Sequence, residues 1–231
     1  MFQAPSATFY ANHTNDSIFN PQQSVTVAFG QNEFPEANLP SLKFAEEETK
    51  TVAEITRGTA FTNKEATENA IKQLSGNYDH LHFSTHAVAE SEMPLFSRLL
   101  LEPTASDDGD LTVREIFELG LHTKLVTLSA CETGRSFSAS GNEYVEQDRI
   151  GLIEAFLHAG SKSVLASLFP VSDRSTTEFM KNFYSGLREN DRADALALTQ
   201  LAMIQGQIST SENDLKHPRY WAPFTLVGTD R

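Results

Sequence analysis

At 231 residues, with 39% hydrophobic and 21% charged residues, the chain can bury a sizeable core within one α/β domain, and neither a disordered nor a fibrous class fits. A formal net charge of -13 argues against a nucleic-acid or anionic-membrane surface, since either needs clustered Lys and Arg; otherwise the acidity serves solubility. The single cysteine, Cys131, excludes an intramolecular disulfide and a Cys-rich zinc site, and suits a reducing cytoplasm.

Residues 1–23 are polar, with Pro5, Pro21 and several Asn, and read as an extended leader or loosely packed strand ahead of one domain over 24–231. No basic segment leads into an apolar run there, and no stretch approaches the roughly 18 apolar residues of a membrane span, so the expectation is a soluble cytoplasmic chain. SVTVAFG (24–30) is β-branched, apolar and closed by Gly30, hence a strand. Residues 41–56 place Leu42, Ala45, Val52 and Ile55 amid charges, a helix that Ser41 can cap. A short strand at 59–62 precedes a helix from Lys64 to Gly76, capped by Thr62 or Asn63. YDHLHFSTHA (78–87) alternates Leu81 and Phe83 on one face with His80 and His82 on the other.

A hairpin follows at about 98–113, then a short helix stopped by Gly120. TKLVTLSAC (123–131) is almost continuously apolar, as in a central parallel strand covered on both faces. Residues 132–147 are polar and rich in Gly and Ser, a mobile loop of a length usually functional or disordered. DRIGLIEAFLHAG is a helix ending at Gly160, and SKSVLASLFP is a strand. Ser172 or Asp173 caps a helix to about Arg188, Asp191 caps another to about Gln207, and WAPFTLVG is the last strand. Such alternation gives an open, mostly parallel sheet of about six strands with helices on both faces.

In such sheets, sites form beyond the carboxyl ends of the strands, which is where His86 and Cys131 both fall. An imidazole beside a thiol can take its proton, since a free thiol titrates near ~8.5 and needs a base to react at neutral pH. By residue type and place alone, an inert buried cysteine and a nucleophile are equally consistent readings of Cys131. His82 reads as packed within the sheet, His158 as a helix C-terminal group, and Trp221 as core.

YDHLHFSTHA, LVTLSACETG, GLIEAFLHAGSKSVLASLFPVSD and HPRYWAPFTLVG together resemble the CHAT family, in the caspase-like (clan CD) group of cysteine peptidases that includes separases, metacaspases and gingipains. The resemblance covers roughly residues 25–229. It implies a caspase–hemoglobinase fold with a small hairpin after the His strand, no cofactor and no metal. It implies a Cys131 nucleophile, a His86 base, and an oxyanion hole from the backbone N–H groups of Cys131 and Ala87.

Ala87 stands where caspases usually have Gly, and would be strained if that position needed positive φ. Ser129 stands where metacaspase-like relatives place an Asp for basic substrates. The strand SLFPVSD is similar to the group's substrate-pairing strand, which puts Ser167, Leu168 and Phe169 beside a peptide. Asp148 and Asp173 either make the pocket acidic or cap the helices that follow.

The resemblance therefore implies a cysteine endopeptidase cutting one or a few proteins through a thioester acyl-enzyme. A regulatory or sensor protein, or cuts in loop 132–147 at Arg135 or Arg149, would switch it on, and a bacterial (antiphage) defence or cell-death system is one setting. Any sensor would be another chain or lie outside this sequence. The alternative is a non-cleaving interaction or scaffold module; an amidotransferase fits poorly, because Ser129 replaces the first Gly of its elbow. WAPFTLVG does not decide between monomer and dimer.

Overall fold

The structure, a computed structural model, describes residues 2–3, 24–35, 37, 39–74, 78–90, 92–129, 131–132, 147–169, 171–210 and 214–229. The expected leader 1–23, the loop 133–146 and the helix end at Gly76 lie largely outside them.

The apolar runs form strands buried on both faces, as parallel strands under two helical layers should be. They are β2 (Thr26–Gly30), β4 (His80–Ser84), β8 (Leu125–Leu128) and β10 (Ser163–Ser167), every residue of each being buried. With β3 (Thr59–Thr62) at one edge and β11 (Phe224–Gly228) beyond β10, they make six strands in the order β11-β10-β8-β4-β2-β3. All are parallel except β11, which runs antiparallel to β10; β1 (Phe2–Gln3) adds to the outer edge of β11.

Side-chain alternation divides the core into two layers. On one face Val27, Phe29, Leu81, Phe83, Val126 and Val164 pack with helices α2 (Glu68–Gln73), α3 (Val113–Glu118) and α4 (Gln147–His158) through residues such as Ile71, Ile116 and Phe156. On the other, Ala28, Leu125, Leu165 and Leu226 meet α1 (Ala45–Thr56), α5 (Asp173–Gly186) and α6 (Arg192–Ile204) through Val52, Phe179, Phe183 and Leu196.

Several boundaries differ from the sequence expectation. The runs 78–87 and 123–131 each divide between two sheets. After Ser84 the chain continues as β5 (His86–Val88), and after Leu128 as β9 (Cys131–Glu132). These join the hairpin β6 (Arg98–Leu100) and β7 (Asp110–Thr112) in a second sheet ordered β7-β6-β5-β9. Apolar periodicity reports burial and cannot reveal a change of sheet.

Ser41 does not cap α1. Its hydroxyl donates to Glu33 Oε2 at 2.7 Å, while Asn32 Oδ1 and Asp173 Oδ2 receive the N–H groups of Glu46 and Phe44, each at 2.8 Å. The helix expected from Lys64 begins at Glu68, capped by Thr67, because Asn63 is turned to Asn32 and Glu46 instead. Ser172 precedes α5 without a side-chain cap bond, and Asp191 caps α6 as expected.

His82 is fully buried and bonded at both ring nitrogens, to Tyr184 OH (3.2 Å) and Glu48 Oε1 (3.1 Å). Tyr184 OH donates in turn to Thr127 Oγ1 at 2.8 Å. This chain ties β4 and β8 to α1 and α5. The hydroxyl sits where burial pushes its titration well up, so it stays a neutral donor. Tyr184→Phe should leave Thr127 and His82 short of a partner and cost about 1–3 kcal/mol in urea unfolding; an unchanged midpoint would mean the chain adds nothing to the join.

Candidate active site

The large sheet delivers His86 and Cys131 to one place. β4 and β8 pair in parallel, with Phe83 opposite Leu128, and each then crosses to the second sheet. There β5 and β9 pair in parallel with His86 opposite Cys131 and Ala87 opposite Glu132. Neighbouring strands lie about 4.8 Å apart, so residues 45 positions apart in sequence become lateral neighbours.

The His86 imidazole is fully buried. Its Nε2 lies 2.8 Å from the carbonyl oxygen of Pro40, and the Phe34 ring stacks obliquely on it at 4.4 Å between centroids. A carbonyl only accepts, so Nε2 carries the hydrogen and, in the neutral ring, Nδ1 carries the lone pair. That is the protonation a general base requires. Pro40 and Phe34 had no signal in the sequence, because a backbone carbonyl leaves no trace in residue type.

The segment bearing Pro40 is itself held at many points. Gln31 N–H donates to Ser84 O (3.0 Å) and Leu42 N–H to Asn32 O (2.9 Å). Phe34, Leu42, Ala45 and Leu100 form a small apolar cluster with Leu39 and Val88 packed on it. Asp173 fixes the far end through Phe44 N–H, so it caps a helix other than its own.

The other expected site residues are placed as follows. Ala87 lies in β5 and is not among the residues with positive φ, so its methyl brings no backbone strain. Ser129, just past β8, is buried; its N–H donates to Phe83 O at 2.9 Å, and its Oγ has no hydrogen-bond partner among the described residues. Ser167 ends β10, buried opposite Phe224. Leu168 donates its N–H to Pro223 O at 2.8 Å, and the side chains of Leu168 and Phe169 are exposed. Asp148 falls in the first turn of α4, its side chain outside the described residues. His158 meets the Phe117 ring edge-on, and half-buried Trp221 donates Nε1–H to Lys216 O at 2.9 Å. Among the described residues no cluster of His, Cys, Asp and Glu is arranged to hold a metal, and no helix is long and apolar enough to cross a membrane.

A family profile for the CHAT domain matches residues 2–229. The chain belongs to the CHAT domain family. Tetratricopeptide repeat protein 28 is similar to it: the mouse protein is 35% identical over 52% of this chain, and the human one 26% over 94%. This CHAT chain spans only 4% and 10% of those two proteins' lengths.

Among solved structures, the Arg-specific cysteine proteinase gingipain R superposes with a TM-score of 0.59 at 11% identity, covering 96% of this chain and 50% of its own. Caspase-1 from Spodoptera frugiperda gives 0.51 at 14%, covering 90% of each chain. At such identities the likeness concerns the fold, and that fold is caspase-like.

Burial also disturbs the Asp173 carboxyl at the start of α5. Desolvation, with Glu48 and Glu47 close by, raises its titration from 3.8 to about 6 despite the Phe44 N–H bond. A carboxyl titrating higher when folded adds stability below pH ~3.8 and loses it as pH rises through about 6. Asp173→Asn keeps an acceptor for Phe44 and removes the charge. It should raise Tm at pH 8 by about 2–4 °C, the shift about 1 kcal/mol produces at this chain length, and the gain should vanish near pH 4. A gain independent of pH would contradict the assignment.

Proposed function

We propose that this CHAT chain is a cysteine endopeptidase with Cys131 as nucleophile and His86 as general base. The observation that carries the reading is the His86–Cys131 register in a caspase-like fold, together with a His86 tautomer fixed by Pro40.

In this reading His86 Nδ1 takes the thiol proton and the Cys131 sulfur attacks the scissile carbonyl. Backbone N–H groups of Cys131 and Ala87 receive the oxyanion. The C–N bond breaks as the imidazolium returns its proton to the leaving amine, leaving a thioester on Cys131. Water, deprotonated by the same ring, then hydrolyses it. A peptide extended beside Ser167, Leu168 and Phe169 would pair on the side where β8 pairing has ended at Leu128, since β11 and Pro223 hold the other side.

The substrate is one protein or a few. Control would come from a partner protein or from cuts in loop 132–147. The curated relatives bear tetratricopeptide repeats in their name, and such helical solenoids offer extended binding surfaces, which favours a repeat-bearing regulator. Those relatives are mouse and human, so they lend no support to a bacterial defence setting, nor do they locate the chain in the cytoplasm.

Co-expression with candidate partners, read by mass spectrometry of new protein termini, tests the reading. Cys131→Ala should abolish the new termini, and His86→Ala should slow their appearance by about 10²–10⁴-fold. Termini that persist in Cys131→Ala would sink the proposal, and a wild-type chain that binds partners yet leaves them whole would favour an interaction module.

A further inference from the structure

The carbonyl that fixes the His86 tautomer has little of its own to hold it. Pro40 carries no N–H, so no hydrogen bond donated by Pro40 itself can anchor it. Its contact with His86 Nε2, at 2.8 Å, therefore depends on its neighbours in the chain. Ser41 Oγ donates to Glu33 Oε2 at 2.7 Å, and Leu42 N–H to Asn32 O at 2.9 Å. Immediately beyond comes the start of α1.

That start has no cap from its own N-cap residue. The position is held by Phe44, whose side chain offers no acceptor. The acceptor comes from 129 positions away: Asp173, the first residue of α5, takes the Phe44 N–H on Oδ2 at 2.8 Å. Its carboxylate also receives the Lys43 N–H, while Glu48 and Glu47 bear on it unfavourably. Arg174, the next residue, lies over the Phe44 ring at 5.5 Å. Two consecutive residues of α5 thus grip Lys43 and Phe44, one by the backbone and one by the ring. A charged acceptor makes the backbone grip the stronger of the two.

We propose that Asp173 is a positioning residue for the general base: by clasping Lys43 and Phe44 it holds the Pro40 carbonyl against His86 Nε2 and so keeps the lone pair on Nδ1. The inference rests on the peptidase reading and adds a residue, outside β5 and β9, on which the base depends. Without that carbonyl in place the hydrogen can sit on either ring nitrogen. A ring carrying it on Nδ1 cannot take the thiol proton there. Asp173 also follows the strand end at Ser167, Leu168 and Phe169, so the clasp joins the base to the segment where a peptide would pair.

Two readings on the full chain test this. One is the His86 tautomer, from nitrogen-15 shifts of labelled histidine assigned through His86→Gln. The other is the rate of Cys131 alkylation by iodoacetamide against pH. Asp173→Ala should turn His86 from the Nε2–H tautomer into a mixture and, through a higher thiolate midpoint, slow alkylation at pH 7 by about tenfold. Asp173→Asn keeps an acceptor for Phe44 and should restore most of both. Asp173→Ser, one bond shorter than the aspartate, takes the place of Asp173→Ala if the melting curve shows that the alanine variant fails to fold. A folded variant that melts earlier yet keeps the wild-type tautomer and alkylation profile would make Asp173 a structural cap only. That would overturn the inference and leave the peptidase reading standing. A tautomer that moves in Asp173→Ala, while Cys131 alkylates like a free cysteine even in the wild type, would overturn the peptidase reading and leave the clasp standing.

Discussion

The site depends on one constraint, the parallel register of β4 and β8. Two strands paired as Phe83 opposite Leu128 leave the large sheet together and re-pair as His86 opposite Cys131. A slip by one residue would send every core side chain of a strand to the wrong face, so burial on both faces locks the register. The lateral pairing of His86 with Cys131 is thus a by-product of core packing: Leu81 and Phe83 to one layer, His82 and Ser84 to the other. The chain His82–Tyr184–Thr127 then pins the same two strands from beneath.

What the register does not settle is the state of the imidazole. A fully buried ring must satisfy both nitrogens, and Pro40 O determines which one holds the proton. That carbonyl is held in turn by Asn32, by the Phe34–Leu42 cluster and by Asp173 through Phe44. Asp173 therefore bears on the shape of the His86 cradle from a helix far away in sequence. Burial of that carboxyl, with Glu48 and Glu47 close by, raises its titration to about 6.

Most of the fold was legible because buried parallel strands write continuous apolar runs. TVAFG, HLHFS, LVTL and SVLAS could be read directly, as could the opposite faces taken by Leu81 and His82. The second sheet was not legible, since β9 is two residues long and pairs with a strand far away in sequence. Helix starts misled where polar side chains found long-range partners: Ser41 went to Glu33, and Asn63 to Asn32 and Glu46. His86 and Cys131 could be nominated from strand ends alone, but their pairing needed the register. Pro40, acting through its carbonyl, and the bond Asp173 makes to Phe44 N–H could be found only in three dimensions.

The central claim is that His86 activates the Cys131 thiol, and the thiol's own titration tests it most directly. The rate of Cys131 alkylation by iodoacetamide, followed from pH 4 to 10, gives the midpoint of thiolate formation. In the wild type it should lie well below ~8.5, the value of a free cysteine, and His86→Ala should return it to that value. Midpoints near ~8.5 in both proteins would show an ordinary buried cysteine and contradict the account.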